Sequence, residues 1–103
     1  MIKNPLFFVL LSSSFLFAEL IIDVRTPEEF QSARLNKAIN IEWQNILSLQ
    51  NNIDKSEKIY LYCRSGNRSQ KATQILIDAG FIDVENLGSL EQASEILNLK
   101  IIK

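Results

Sequence analysis

The sequence predicts one small α/β domain, with a mostly parallel sheet of about four to five strands flanked by helices. Three observations carry this. Short apolar or β-branched runs at residues 20–24, 38–41, 58–62 and 83–86 have strand character. Stretches of helical spacing separate them, most clearly Ala72, Ile75, Leu76 and Ala79 at i, i+3, i+4 and i+7. The 103 residues leave room for one domain, and 47% apolar with 22% charged residues is a globular balance. Strands alternating with helices favour parallel crossovers, and ligands of such sheets bind beyond the carboxyl ends of the strands.

Taken in order, the first 18 residues stand apart. Lys3 is the only charge before Glu19, residues 6–17 are apolar apart from Ser12, Ser13 and Ser14, and Ala18 precedes the charged body. A charged start, a short apolar stretch and a small-residue end describe a secretory signal. Residues 1–18 are therefore expected to be a signal peptide, residues 19–103 the domain, and the location periplasmic. The competing readings are an uncleaved anchor and a buried helix, but the apolar run falls short of the roughly 20 residues a bilayer span needs. Leu16 departs from the small residue usual three positions before a cut.

Residues 20–24 read as a buried strand whose end carries Asp23. Thr26 then serves as helix N-cap, Pro27 occupies the first helical position, and Glu29 completes a capping box. That helix should end between Ser32 and Leu35. Residues 38–41 form a second short strand. Trp43, Ile46, Leu47 and Leu49 have helical spacing, and the Asn-rich stretch 50–56 reads as a loop. Residues 58–62 are the clearest strand. From Ser69 the pattern turns helical until Gly80, a left-handed cap against which Phe81 packs. A fourth strand follows at 83–86. Ser89 caps a last helix with Leu90, Ala93, Ile96 and Leu97 on one face, and Ile101 and Ile102 form an apolar tail.

Composition excludes much. The chain has no histidine and one cysteine. A Ser-His-Asp triad, a Cys-His pair, an internal disulfide and a multi-thiolate zinc site are all impossible, and neither metal nor cofactor is expected. A formal net charge of −1 gives no global basic field to recruit nucleic acid.

The chemistry concentrates at Cys63-Arg64-Ser65-Gly66-Asn67-Arg68, between a buried strand and a helix start. Small and polar loop residues let backbone N–H groups turn inward as an anion-binding nest, and the helix dipole adds to it. With Arg64 and Arg68 alongside, these effects favour thiolate over thiol. Gly66 supplies backbone freedom in the turn. Cys63 thus reads as a nucleophile, and residues 64–68 as the cradle of an anionic substrate. The competing reading of Cys63 is an inert core cysteine, which would not be followed by Arg, Ser, Gly, Asn and Arg. For Arg64 the competing reading is a solvated surface charge. Asp23 and Cys63 both end strands, so Asp23 is expected to support the loop by holding Arg68 or loop N–H groups. Ser69 is a second supporting residue.

Cys-Arg-Ser-Gly-Asn-Arg-Ser resembles the active-site loop of single-domain rhodaneses. Further segments carry the resemblance: Ile22 to Phe30, Ala38 to Ile41, and Asp78 to Phe81 with Val84 to Leu90, which resemble the closing strand and glycine turn. In its exported, minimal form the chain resembles the periplasmic phage-shock members in particular. It departs from the family pattern at Ala33-Arg34 and Asn36-Lys37, which replace Gly-His and Pro-Gly, at Glu42 for proline, and at Gly88-Ser89 for Gly-Gly. These changes touch loops and the sheet edge more than the cradle.

The resemblance implies a rhodanese-like fold and a thiosulfate sulfurtransferase activity. The Cys63 thiolate would take the outer sulfur of thiosulfate, sulfite would leave, and a second nucleophile would collect the sulfur from the persulfide. The implied partners are a small anionic sulfur donor, a thiol or cyanide-like acceptor and a sulfur-accepting protein, without nucleic acid. An alternative on the same loop is a persulfide carrier with little turnover of its own. A cysteine phosphatase or arsenate reductase is a more distant rival. Its loop, by family comparison, holds five residues between Cys and Arg, whereas four separate Cys63 from Arg68.

Overall fold

A computed structural model of the chain describes residues 19–103. The expected signal peptide lies outside the described residues. The element order is β1 (Leu20–Asp23), α1 (Pro27–Ser32), β2 (Arg34–Leu35), β3 (Ile39–Asn40), a 3₁₀ helix (Trp43–Asn51), β4 (Ile59–Cys63), α2 (Asn67–Asp78), β5 (Val84–Ser89), α3 (Leu90–Leu97) and β6 (Ile101–Ile102). Four strands form a wholly parallel sheet in the order β3-β1-β4-β5. The α/β reading is thus correct, at the lower end of the expected strand number.

Side chains alternate along each strand, so the sheet buries two cores. Ile22 and Val24 of β1 and its exit join Ile59, Leu61 and Cys63 of β4 on one face, against Ala72 and Leu76 of α2 and Ile46 of the 3₁₀ helix. Ile21 and Tyr62 join Leu35, Leu87, Leu90 and Ala93 on the other, which α3 covers. β1 and β4 are central, which explains why their sequences are the most continuously apolar.

Local signals act as expected at both capped helices. The Thr26 hydroxyl accepts from the Glu29 amide while the Glu29 carboxylate accepts from the Thr26 amide. Ser89 and Gln92 form the same reciprocal pair at the start of α3. Two expectations change. The apolar tail is a strand, because Ile101 and Ile102 pair antiparallel with Leu35 and Arg34 to form a separate two-stranded sheet. Helix α2 starts at Asn67, not Ser69, so Asn67 and Arg68 belong to its first turn. That first turn has no apolar residue, which hid it from a reading based on hydrophobic period.

Candidate functional site

Cys63 ends β4 with its side chain on the α2 face and no solvent exposure. Beyond it the chain passes the exposed Arg64 and Ser65 and reaches Gly66, whose φ of 100° lies in the left-handed region that favours glycine. Gly66 is the N-cap of α2 and has no side chain to cap with, so the first amides of the helix are free for another acceptor. That acceptor is Sγ. The Gly66 amide donates to it at 2.9 Å, and the Ser69 hydroxyl lies 3.3 Å away. Burial pushes the thiol pKa up, but the hydrogen bonds from Ser69, Ser65 and Gly66 outweigh it and hold the group below its usual value.

The two arginines differ. Arg68 is half-buried and gives both guanidinium prongs to Glu29, Nη1 to Oε1 at 2.7 Å and Nη2 to Oε2 at 3.1 Å. Arg64 is exposed and forms no ion pair among the described residues. Asn67 is exposed at the helix start. Glu29 was legible in the sequence only as half of a capping box. In the structure its Oε1 also accepts from Arg68, and Arg68 holds its carboxyl down at about 2.

The expected contact between Asp23 and Arg68 is corrected. Asp23 is fully buried and binds Arg25, with Nε at 2.9 and 3.1 Å and Nη2 at 2.7 Å, and it also accepts from the Arg25 amide. The reason is register. Asp23 pairs with Tyr62, one residue before Cys63, so its side chain leaves the sheet on the face opposite the thiol. Arg25 in turn donates to the carbonyl of Ala33 and lies over the Tyr62 ring. Asp23 therefore ties β1 to the end of α1.

Ser69 does more than brace the loop, since its hydroxyl reaches the sulfur itself. Behind it stands Asn86, a site residue that sequence reasoning passed over. Asn86 Oδ1 lies 2.7 Å from Ser69 Oγ and accepts from the Gly88 amide at 2.9 Å, while Nδ2 donates to the Gly66 carbonyl at 3.2 Å. The β4–β5 register makes this possible, because Asn86 pairs with Leu61 and so leaves the sheet on the α2 face. Cys63 pairs with Ser89, so β5 carries one extra residue between Asn86 and Ser89. Here Gly88, at φ 92°, comes so near Gly66 that a Cβ on Gly66 would sit 3.4 Å from the Gly88 Cα.

The thiol is thus buried under a helix N-terminus, beside the Gly66 amide and the Ser69 hydroxyl. The family model described as Rhodanese-like domain matches residues 12–95. This chain belongs to the rhodanese-like family. It is similar to thiosulfate sulfurtransferase PspE of Escherichia coli (strain K12), 37% identical over 76 residues that cover 72% of this chain and 73% of that one. It is also similar to the adenylyltransferase and sulfurtransferase UBA4 of Meyerozyma guilliermondii, 38% identical over 76 residues covering 66% of this chain. The chain spans only 18% of that relative's length. Among solved structures, a rhodanese with anions from E. coli superposes with a TM-score of 0.72 at 33% identity, covering 84% of this chain and 99% of that one.

In this rhodanese-like domain a cavity of about 260 Å³ adjoins the loop at Arg64 and is further lined by Arg25, Glu29, Ser32, Ala33, Leu90 and Glu91. Of its two cations Arg25 is already matched by Asp23, and Arg64 has no ion pair among the described residues.

Proposed function

We propose that this chain is a sulfurtransferase that moves a sulfane sulfur from thiosulfate or a similar donor to a thiophilic acceptor through a persulfide on Cys63. The observation that carries the reading is the convergence of the Gly66 amide and the Ser69 hydroxyl on Sγ. These donors favour the thiolate, the form that attacks sulfur.

In the first half-reaction the Sγ lone pair forms a bond to the outer sulfur of thiosulfate. The S–S bond of the donor breaks, and its electron pair leaves with sulfite. The single negative charge of the thiolate ends on the outer sulfur of the persulfide. In the second half-reaction an acceptor thiolate or cyanide takes that outer sulfur, and the electron pair of the inner bond returns to Sγ. No proton needs to be moved by the protein, which suits a site without histidine. Arg64 meets the dianionic donor, while Ser65, Gly66, Asn67 and Arg68 shape the cradle. The acceptor, a small thiol or a thiol on a partner protein, enters by the cavity at Arg64. The charged and apolar pattern of residues 1–18 supports export to the periplasm.

The test is intact mass after incubation with thiosulfate. One sulfur, about 32 Da by atomic mass, should be gained and then lost to cyanide over repeated turnovers. Gain of sulfur without turnover would make the chain a carrier, and no gain would overturn the reading.

A further inference from the structure

The Ser69 hydroxyl has one proton and three acceptors within reach: Sγ at 3.3 Å, Asn86 Oδ1 at 2.7 Å and the Gly66 carbonyl at 3.2 Å. The carbonyl is already filled. It accepts from the Gln70 amide at 2.9 Å and from Asn86 Nδ2 at 3.2 Å, and a carbonyl oxygen has two lone pairs. The Asn86 amide cannot be turned round, because the Gly88 amide donates to Oδ1 and Nδ2 has acceptors in Gly66 and in Gln70 Oε1. Oδ1 then keeps one lone pair open, and it faces Ser69. The hydroxyl proton therefore has two real destinations, the sulfur and Asn86.

We propose that Asn86 is a positioning residue that accepts the hydrogen bond of the Ser69 hydroxyl whenever Sγ is uncharged and gives it up whenever Sγ is a thiolate. The inference rests on the sulfur-transfer reading for its catalytic part. A charged acceptor makes the stronger hydrogen bond, so a thiolate draws the hydroxyl. Once a persulfide forms, the charge sits on the outer sulfur and Sγ is neutral. The hydroxyl then rotates to the nearer Oδ1. When the acceptor removes the outer sulfur, charge returns to Sγ and the hydroxyl rotates back. No proton leaves Ser69 at any point. Asn86 thus stabilises the loaded state relative to the empty thiolate, and by the same logic the thiol relative to the thiolate.

This assigns opposite signs to the two half-reactions. Asn86→Ala should slow persulfide formation from thiosulfate and speed its discharge by cyanide, each by about 3- to 10-fold. It should also lower the pH midpoint of thiolate absorbance near 240 nm by about half a unit to one unit. All three effects should vanish in a Ser69→Ala background, because Asn86 acts through that hydroxyl. A merely structural residue would slow both half-reactions and raise the midpoint as the loop loosened. That result, or equal effects with and without Ser69, overturns the proposal. If Asn86→Ala loses its circular dichroism spectrum, Asn86→Asp tests the same point from the other side. Its carboxylate should hold the hydroxyl more firmly and raise the midpoint, by at least twice as much with Ser69 present as without it; an equal rise sinks the idea. The titration needs no sulfur donor. Failure of the unaltered chain to load from thiosulfate would therefore remove the donor assignment, while the midpoints still decide the role of Asn86.

Discussion

Arg68 and Glu29, 39 residues apart in sequence, lock α2 to α1 through two parallel N–H to carboxylate bonds of 2.7 and 3.1 Å. The fork of the guanidinium matches both oxygens, so the pair fixes orientation as well as distance. About a quarter of each side chain is still exposed, 29% for Arg68 and 26% for Glu29, and solvent weakens the attraction. A double-mutant cycle with Arg68→Ala and Glu29→Ala, read by urea unfolding, should give a coupling of about 0.5–1 kcal/mol. Additive losses would show that the two groups merely lie side by side.

The same pair sets an acid limit. The Glu29 carboxyl is held at about 2, chiefly by Arg68, against an ordinary value of 4.5. Its folded pKa is depressed, so its contribution to stability is full above the unfolded value. It fades as pH falls from about 4.5 towards about 2, where the unfolded chain binds the extra proton. Unfolding midpoints measured across that window should fall more steeply for the unaltered chain than for Glu29→Gln. Identical slopes would remove Glu29 from the acid transition.

Neutralising Glu29 should also free Arg68 for the donor. Glu29→Gln is expected to lower KM for thiosulfate by about 2- to 5-fold, while Arg64→Ala, which removes the unmatched cation, lowers kcat/KM by about 3- to 10-fold. A neutral organic polysulfide donor should be nearly indifferent to both changes. Equal effects on charged and neutral donors would mean that these residues only shape the loop.

Asp23 should matter for folding, not for turnover per folded molecule. Asp23→Ala strands the Arg25 guanidinium, 7% exposed, without its buried partner. Breaking such pairs costs about 3–5 kcal/mol, and a domain this small has little more than that to lose. Poor expression or a urea midpoint near zero is the expected outcome. A stable, fully folded variant would contradict the assigned role.

Cys63→Ser should abolish sulfur transfer and leave the fold intact. The oxygen fits beneath the same amides but forms no persulfide. Residual turnover in the serine variant, with an unchanged circular dichroism spectrum, would place the sulfur elsewhere.

What the sequence made legible was what local chemistry determines. Thr26 with Glu29, and Ser89 alone, announced their helices because a capping side chain acts within three residues of itself. Leu20 to Asp23 and Ile59 to Cys63 stood out because both faces of a central parallel strand are buried. The Cys63 loop was legible because small polar residues between a strand and a helix leave backbone amides free. Apart from the first turn of α2, the misses come from how distant strands pair. Ile101 and Ile102 find Arg34 and Leu35 across most of the domain. Asp23 takes Arg25 instead of Arg68 because strand register, which no single run of residues encodes, puts it on the Tyr62 face. Asn86 sits in an ordinary strand pattern, and only its pairing with Leu61 puts it on the α2 face beside Ser69.

The strand order has a consequence for how the chain comes together. β1 is the first described strand to leave the ribosome, yet it lies inside the sheet, and its longer partner, β4, ends at Cys63. Every pairing in the main sheet is parallel, so no tight hairpin can nucleate it. During synthesis the apolar Leu20–Asp23 segment must wait with an open edge until some forty further residues have emerged. Cys63 is therefore made at the end of the strand that ends this wait, so its loop can take shape only once the centre of the sheet is paired.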